Sequence, residues 1–256
     1  MKAELPVLLA GFVPAPILDA AVRLSKDLLR RRAAQAKGDK ALIDKALLSV
    51  WVTSLRHDTC GIPPYKDDRG DYSELLLIVA SLTPDLKYAK RRRVQEMIHI
   101  ALPYPTLLVL EDGPALHISA LPPSTPVENL VQLTLSAEAP ELLADLKVPQ
   151  VPPAPHLKAV FERWLCAIHA QRIHQNPPPG ISSYPYLRLA TAKQAEVLAQ
   201  TLHSLTNELS SVVTELKRSH QPQRRITLAK ARKCLSSQII STLRNSQSLP
   251  SCHTKK

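Results

Sequence analysis

Asp67, Asp68, Asp71 and Glu74 are the side chains in this chain whose types and spacing could hold a divalent metal for phosphodiester cleavage. A nuclease site of that kind needs two or three carboxylates around Mg²⁺, usually with a lysine nearby. The first three fall in a charged, proline-containing stretch that reads as a loop, where acids are ordinarily solvated. Glu74 opens the strand that follows, but no acid-x-lysine pair completes the set. A metal-dependent nuclease using Asp71 and Glu74 is therefore one reading. A degenerate relative of such a fold is another.

Other chemistry has less to stand on. His57 and Cys60 are three residues apart, but a thiol nucleophile needs a converging base and a third orienting group, and no third partner is legible. Cys166 and His169 share a helical spacing with His174 nearby, yet a structural zinc site takes four ligands in paired spacings, and no second pair is present. With six glycines in 256 residues and no phosphate-cradling loop, an NTPase or dinucleotide enzyme is not expected. No catalytic residue, resident metal or cofactor is assigned.

Charge is the stronger signal. The chain carries a net charge of +11, with 33 Lys and Arg against 22 Asp and Glu. Ten of the basic residues follow Glu215, the last acid, which leaves 23 basic against 22 acidic residues in everything before. Such asymmetry points to a polyanion, nucleic acid before anionic membrane, with a solvated basic face as the alternative. Arg224, Arg225, Lys230, Arg232 and Lys233 are the expected phosphate contacts, made without reading base sequence.

The elements that must position these residues are separated mostly by the 23 prolines. Apolar residues make up 45% of the chain and aromatics 4%, so Leu, Ala, Val and Ile must fill the core. No apolar run approaches the roughly 20 residues of a membrane span. Leu5–Val13 is apolar but short, proline-flanked and preceded by Glu4, and reads as folded chain rather than a signal peptide. Cys60, Cys166, Cys234 and Cys252 have no repeated spacing, which fits a reducing, cytoplasmic compartment.

Ile17, Ala21, Leu24 and Leu28 predict a helix over 17–35, with Arg30, Arg31 and Arg32 at its C-terminus complementing the helix dipole. A short helix over 40–47 leads to a strand over 50–55. The stretch 61–70 predicts a loop. The run 73–82 is apolar without interruption from Leu75 to Ala80, as in a central strand buried on both faces. A helix over 85–101 carries Arg91, Arg92 and Arg93, which cannot share a face at about 100° per residue and are expected to be solvated around it. Strands follow over 106–111 and 115–121, joined by an Asp112-Gly113 turn, and an edge strand over 130–135.

Pro149, Pro152, Pro153 and Pro155 mark a linker, placing an α+β domain at 1–150 and a helical region at 151–256. A helix over 156–174 puts Leu157, Phe161, Trp164 and Ile168 on one side. Ala195, Leu198, Leu202, Leu205, Leu209, Val212 and Leu216 then alternate spacings of three and four, a heptad seam. Pro222 breaks it before a last helix over 224–245. The pair forms either an antiparallel hairpin or a seam for a second copy of the chain.

Val50–Leu121 resembles a bacterial family catalogued as domain of unknown function four-three-nine-one. The resemblance rests on Trp51 in the first strand, Thr59 with Gly61-Ile62 in the turn, and Glu74. It continues through Leu102-Pro103-Tyr104-Pro105 and Leu107-Leu108-Val109-Leu110-Glu111. Phe161-Glu162-Arg163-Trp164 and Gln223-Arg224-Arg225-Ile226-Thr227-Leu228 extend it over most of the chain. The chain departs from the family pattern at Val79-Ala80-Ser81-Leu82, which lacks the usual acid and lysine, and in its acid-free last helix.

The elements predict an α+β fold: a mixed sheet with packed helices, then a helical region ending in a coiled-coil-like hairpin, whose last two helices also resemble the family's charged coiled-coil end. The resemblance implies no established activity. Genes of the family often stand beside DNA methyltransferases and helicases of restriction-like defence systems, which implies a helicase or methyltransferase partner and a role in phage defence. Together with the charge, the expected function is a non-enzymatic accessory or adaptor protein that binds DNA or RNA or a complex that processes them. A purely structural protein-interaction module is the remaining alternative.

Overall fold

In this computed structural model the described residues are 11–33, 35–68, 70–84, 86–113, 115–136, 146, 154–175 and 192–247. The chain forms two compact units, Met1–Trp164 and Leu165–Lys256. Pro149, Pro152 and Pro153 of the expected linker lie outside the described residues, as do Pro177–Gly180.

The first unit is built on a six-stranded mixed sheet. Its elements are α1 (Ala15–Asp19), β1 (Val22–Arg23), α2 (Lys26–Arg32), α3 (Asp39–Ala46), β2 (Leu47–Leu55), α4 (His57–Cys60), β3 (Tyr65–Asp67) and β4 (Gly70–Tyr72). There follow β5 (Leu75–Leu82), α5 (Tyr88–Ala101), β6 (Thr106–Asp112), β7 (Ala115–Leu121), a 3₁₀ turn (Val127–Asn129) and β8 (Val131–Ser136). The sheet order is β1-β2-β5-β6-β7-β8, and β3 pairs with β4 separately. Among the described strands only β5 and β6 run parallel, because α5 carries the chain back between them; the other described pairings are antiparallel.

The alternation of each strand sorts its side chains onto two faces. Val50, Val52, Ile78, Ala80, Leu108 and Leu110 pack with Val94, Met97, Ile98 and Ala101 of α5 and Ile43 and Ala46 of α3. Leu75 to Ala80 are all buried, as expected of a central strand. β8 occupies the edge assigned to it. The return turn closes at Gly113, whose φ of +57° favours glycine there.

Two sequence expectations are corrected. The predicted helix over 17–35 is interrupted: Val22 and Arg23 form an edge strand on Val52 and Trp51. Leu24 N–H then donates to Val50 O, and Ser25 caps a new helix by accepting from Leu28 N–H. A β-branched residue beside an unpaired strand edge outweighs the local helical spacing. The predicted loop over 61–70 contains β3, stapled to β4 by Asp67 Oδ1 accepting from Gly70 N–H at 3.1 Å. Pro123 lies against Gly70, where an added Cβ would sit 2.2 Å from the proline ring.

Leu157–Gln175 (α6) carries Phe161 and Trp164 into the core of the first unit. Phe161 meets Tyr72 at a centroid distance of 5.9 Å, and the fully buried Trp164 donates from Nε1 to Leu146 O at 2.9 Å. Trp164→Phe leaves that carbonyl without its donor, and should lower the unfolding free energy by about 1–3 kcal/mol in urea titrations.

The second unit contains α7 (Ala192–Arg218) and α8 (Pro222–Gln247), which pack on each other. Leu198, Leu202 and Leu209 of the heptad seam are buried with Ile239 and Leu243 of α8 and with Ala170 and Ile173. Leu205 and Leu235 are partly buried against them. The fold is thus α+β with a helical C-terminal part. Among the described residues, no helix is long and apolar enough to cross a membrane.

Candidate nucleic-acid interface

The turn between α7 and α8 gathers charge. Lys217 and Arg218 end α7, Pro222 opens α8, and Arg224 and Arg225 stand in its first turn. Proline suits a first helical position because the N–H it lacks has no intrahelical acceptor there. Cations in the last turn of α7 complement the carbonyl end of that helix. The first turn of α8 is the reverse case: it holds no acid and two arginines, each forfeiting the favourable interaction an acid would make with the helix N-terminus.

Arg224 pairs with Glu215. Lys217, Arg218, Arg225, Lys230, Arg232 and Lys233 are exposed and have no carboxylate partner among the described residues. Residues 221 to 227 are exposed all round, Ile226 at 53%. At about 100° per residue, Arg225 and Arg232 fall on one flank of α8, and Lys230 and Lys233 on another. Lys217 and Arg218 are not among the phosphate contacts expected from sequence. The signal that finds them is the three-residue turn, which folds the end of one basic segment onto the start of the next.

The seam lies beside this interface. Leu198, Leu202 and Leu209 are buried and Leu205, Val212 and Leu216 partly so. Ala195 falls in α7, its side chain outside the described residues.

The acidic candidates do not converge. Asp71 is exposed and accepts hydrogen bonds from the Ser73 hydroxyl and from Lys66, which hold its carboxyl down to about 2. Glu74 follows the β3–β4 hairpin, and Asp67 accepts from Lys158 Nζ at 2.5 Å. That ammonium also lies 4.9 Å from the Tyr65 ring centroid. Among the described residues, no group of three His, Cys, Asp or Glu side chains is placed to hold a metal ion.

Cys60 Sγ donates to Arg56 O at 3.0 Å, and burial pushes its thiol pKa up, which is opposite to nucleophile activation. Cys166 and His169 are both buried within α6, and burial holds His169 at about 4.

The arginine triplet corrects another expectation. Arg91, Arg92 and Arg93 radiate around α5 as the spacing demands, but each meets a carboxylate. Arg91 pairs with buried Asp112 at 2.6 Å, Arg92 with Glu96 at 3.1 Å, and Arg93 with Asp39 at 2.8 Å and Glu96 at 3.3 Å. Arg91 and Arg93 brace α5 against the sheet and α3, while the Arg92 pair lies within the helix.

The sequence also left unread a polar chain on the α5 face of the sheet. His117 Nδ1 lies 2.9 Å from Thr134 Oγ1, and His117 Nε2 lies 3.6 Å from Asp112 Oδ2. The order of groups is that of hydroxyl, base and orienting carboxylate, but Asp112 is engaged by Arg91 and 3.6 Å is beyond hydrogen-bond reach. Burial, then Arg91, holds the His117 pKa down. Nearby His99, with Nε2 at 3.1 Å from Ser119 Oγ, is held at about 3 by burial.

Histidines buried neutral stabilise the fold fully above their unfolded pKa of about 6.5, and that contribution drains as pH falls below it. The urea midpoint should therefore drop from pH 7 to pH 4.5. His99→Asn should show a shallower decline over that window whatever its starting stability, and parallel declines would remove His99 from the acid response.

No curated protein and no solved structure matches the chain. The family described as "Domain of unknown function (DUF4391)" matches residues 18–239, from within α1 to Ile239 in α8. The match takes in the sheet, the arginine-braced α5 and the basic hairpin, and the chain belongs to this family.

Proposed function

We propose that this chain is a non-enzymatic, nucleic-acid-binding accessory protein, and that the basic tip of the α7–α8 hairpin contacts backbone phosphates. The observation that carries this reading is the first half of α8: exposed all round from 221 to 227, free of acids, with cations on two flanks that have no carboxylate partner among the described residues. A helix in the major groove of a duplex has a phosphate strand on each side, so cations on both flanks find partners there. Arg224 is matched by Glu215 across the turn, but Arg225 has no carboxylate partner among the described residues, and an anion docked there offsets its conflict with the helix N-terminus.

In this reading the protein works in a reducing, cytoplasmic setting beside nucleic-acid-processing enzymes such as a helicase or methyltransferase. The seam holds the hairpin together, and a second copy of the chain or a partner protein docks around it. The test is titration of a fluorescent 20-base-pair duplex with the protein and with a variant carrying glutamine at 224, 225, 230, 232 and 233. Loss of binding in the variant, with unchanged circular dichroism, is expected. Equal binding by both proteins overturns the reading.

A further inference from the structure

A second cationic feature lies in the first unit. Between α2 and α3 is a cavity of about 440 Å³ lined by Asp27, Arg30, Arg31 and Lys40. Segment 23–45 holds eight Lys and Arg against three acids, Asp27, Asp39 and Asp44. All three acids are engaged. Arg30 pairs with Asp27 and with Asp44 at 3.2 Å each, and Asp39 pairs with Arg93 of α5.

That leaves Arg31 and Lys40, on different helices, facing one cavity with no carboxylate partner among the described residues. Arg31 makes only a weak contact from Nε to Asp27 O at 3.4 Å, which leaves its outer guanidinium nitrogens available. Asp27 would repel an anion at the rim; Arg30, shared with Asp44, offsets part of that charge, and Arg31 and Lys40 add two more cations. A guanidinium fork and an ammonium point charge lining the same open depression match the tetrahedral oxygens of a phosphate group. The C-terminal position of Arg30–Arg32 on α2 explains why cations are tolerated there, but not why one from α3 joins them.

We infer that the open depression between α2 and α3 is a phosphate-binding site, with Arg31 and Lys40 as its anion ligands and Arg30 holding Asp27 beside them. The phosphate comes either from a nucleic-acid backbone or from a free phosphate compound. The site lies outside the α7–α8 hairpin, so it does not depend on the function proposed for that hairpin.

The experiment measures binding of inorganic pyrophosphate by thermal shift, against sodium chloride at equal ionic strength, and of the duplex across a salt series. It uses the full chain, Arg31→Gln/Lys40→Gln, and Lys90→Gln as an exposed-lysine control. Pyrophosphate should raise the melting temperature of the unmodified chain and of Lys90→Gln, and should bind the double variant at least about tenfold more weakly.

If the double variant also lowers the salt slope of duplex binding by about 2, the phosphate belongs to nucleic acid. If duplex binding is unchanged while the pyrophosphate effect is lost, the ligand is a free phosphate compound. Identical behaviour of the double variant and the unmodified chain with both probes overturns the site. The glutamine variant of α8 reports separately on the hairpin, so failure of one proposal is distinguishable from failure of the other.

Discussion

Replacing Arg224, Arg225, Lys230, Arg232 and Lys233 by glutamine should weaken duplex binding on the order of 10²-fold or more near 0.1 M salt. Each phosphate contact on a duplex releases counterions and contributes about 0.9 to the slope of log K against log salt. Four of the five residues have no carboxylate partner among the described residues, and Arg224 shares its charge with Glu215. Losing them should flatten the slope by about 4. All five are exposed, so the substitutions remove charge without emptying the core. A variant whose affinity falls but whose slope is unchanged would show that these residues act by something other than phosphate contact.

The second large effect concerns the brace between α3 and α5. Asp39 is 5% exposed and accepts from Gln35 N–H at 3.0 Å, Ala36 N–H at 2.8 Å and Arg93 Nη2 at 2.8 Å. Asp39→Ala leaves the Arg93 guanidinium without its main partner and two N–H groups without an acceptor. The expected cost is about 3–5 kcal/mol of unfolding free energy. Asp39→Asn, which keeps an acceptor for the backbone, should cost less.

Arg93, by its hydrogen bond and charge, together with those two N–H groups, holds the Asp39 carboxyl down to about 2 from an ordinary 3.8. A carboxylate whose pKa is lowered on folding stabilises fully above its unfolded value and loses that contribution as pH falls through the folded one. The share from Asp39, about 2 kcal/mol, should therefore disappear between pH 4 and pH 2. Urea titrations at pH 5 and pH 2.5 check this: Asp39→Asn should lose less stability between them than the unmodified protein. An equal loss would mean that the ion pair contributes nothing.

How much of this was legible in the sequence follows from how local each signal is. Leu75–Ala80 is an unbroken apolar run because a strand flanked by β2 and β6 has no wet face. The edge position of β8 showed as alternation, and the seam of α7 as its three-four spacing, because burial on one side imposes those periods. β1 was not legible: two residues have no period, and their strand state comes from pairing with Val52 and Trp51.

The arginine triplet shows the same limit. Its spread around α5 followed from helical geometry, but Asp39 and Asp112 lie 54 and 21 residues from their arginines, and nothing local announces such pairs. The candidate interface was read in part. The acid-free composition of α8 suggested Arg224, Arg225, Lys230, Arg232 and Lys233 as candidates. Lys217 and Arg218 joined them only once the turn to α8 was known.

The most direct measurement of the central claim is fluorescence anisotropy of labelled duplex DNA with the unmodified protein from 50 to 200 mM salt. Micromolar or tighter binding that weakens steeply across this range, by a factor on the order of 10² or more for at least four phosphate contacts, is the expected result. Absence of binding at the lowest salt would contradict it, leaving the basic half of α8 a solvated face.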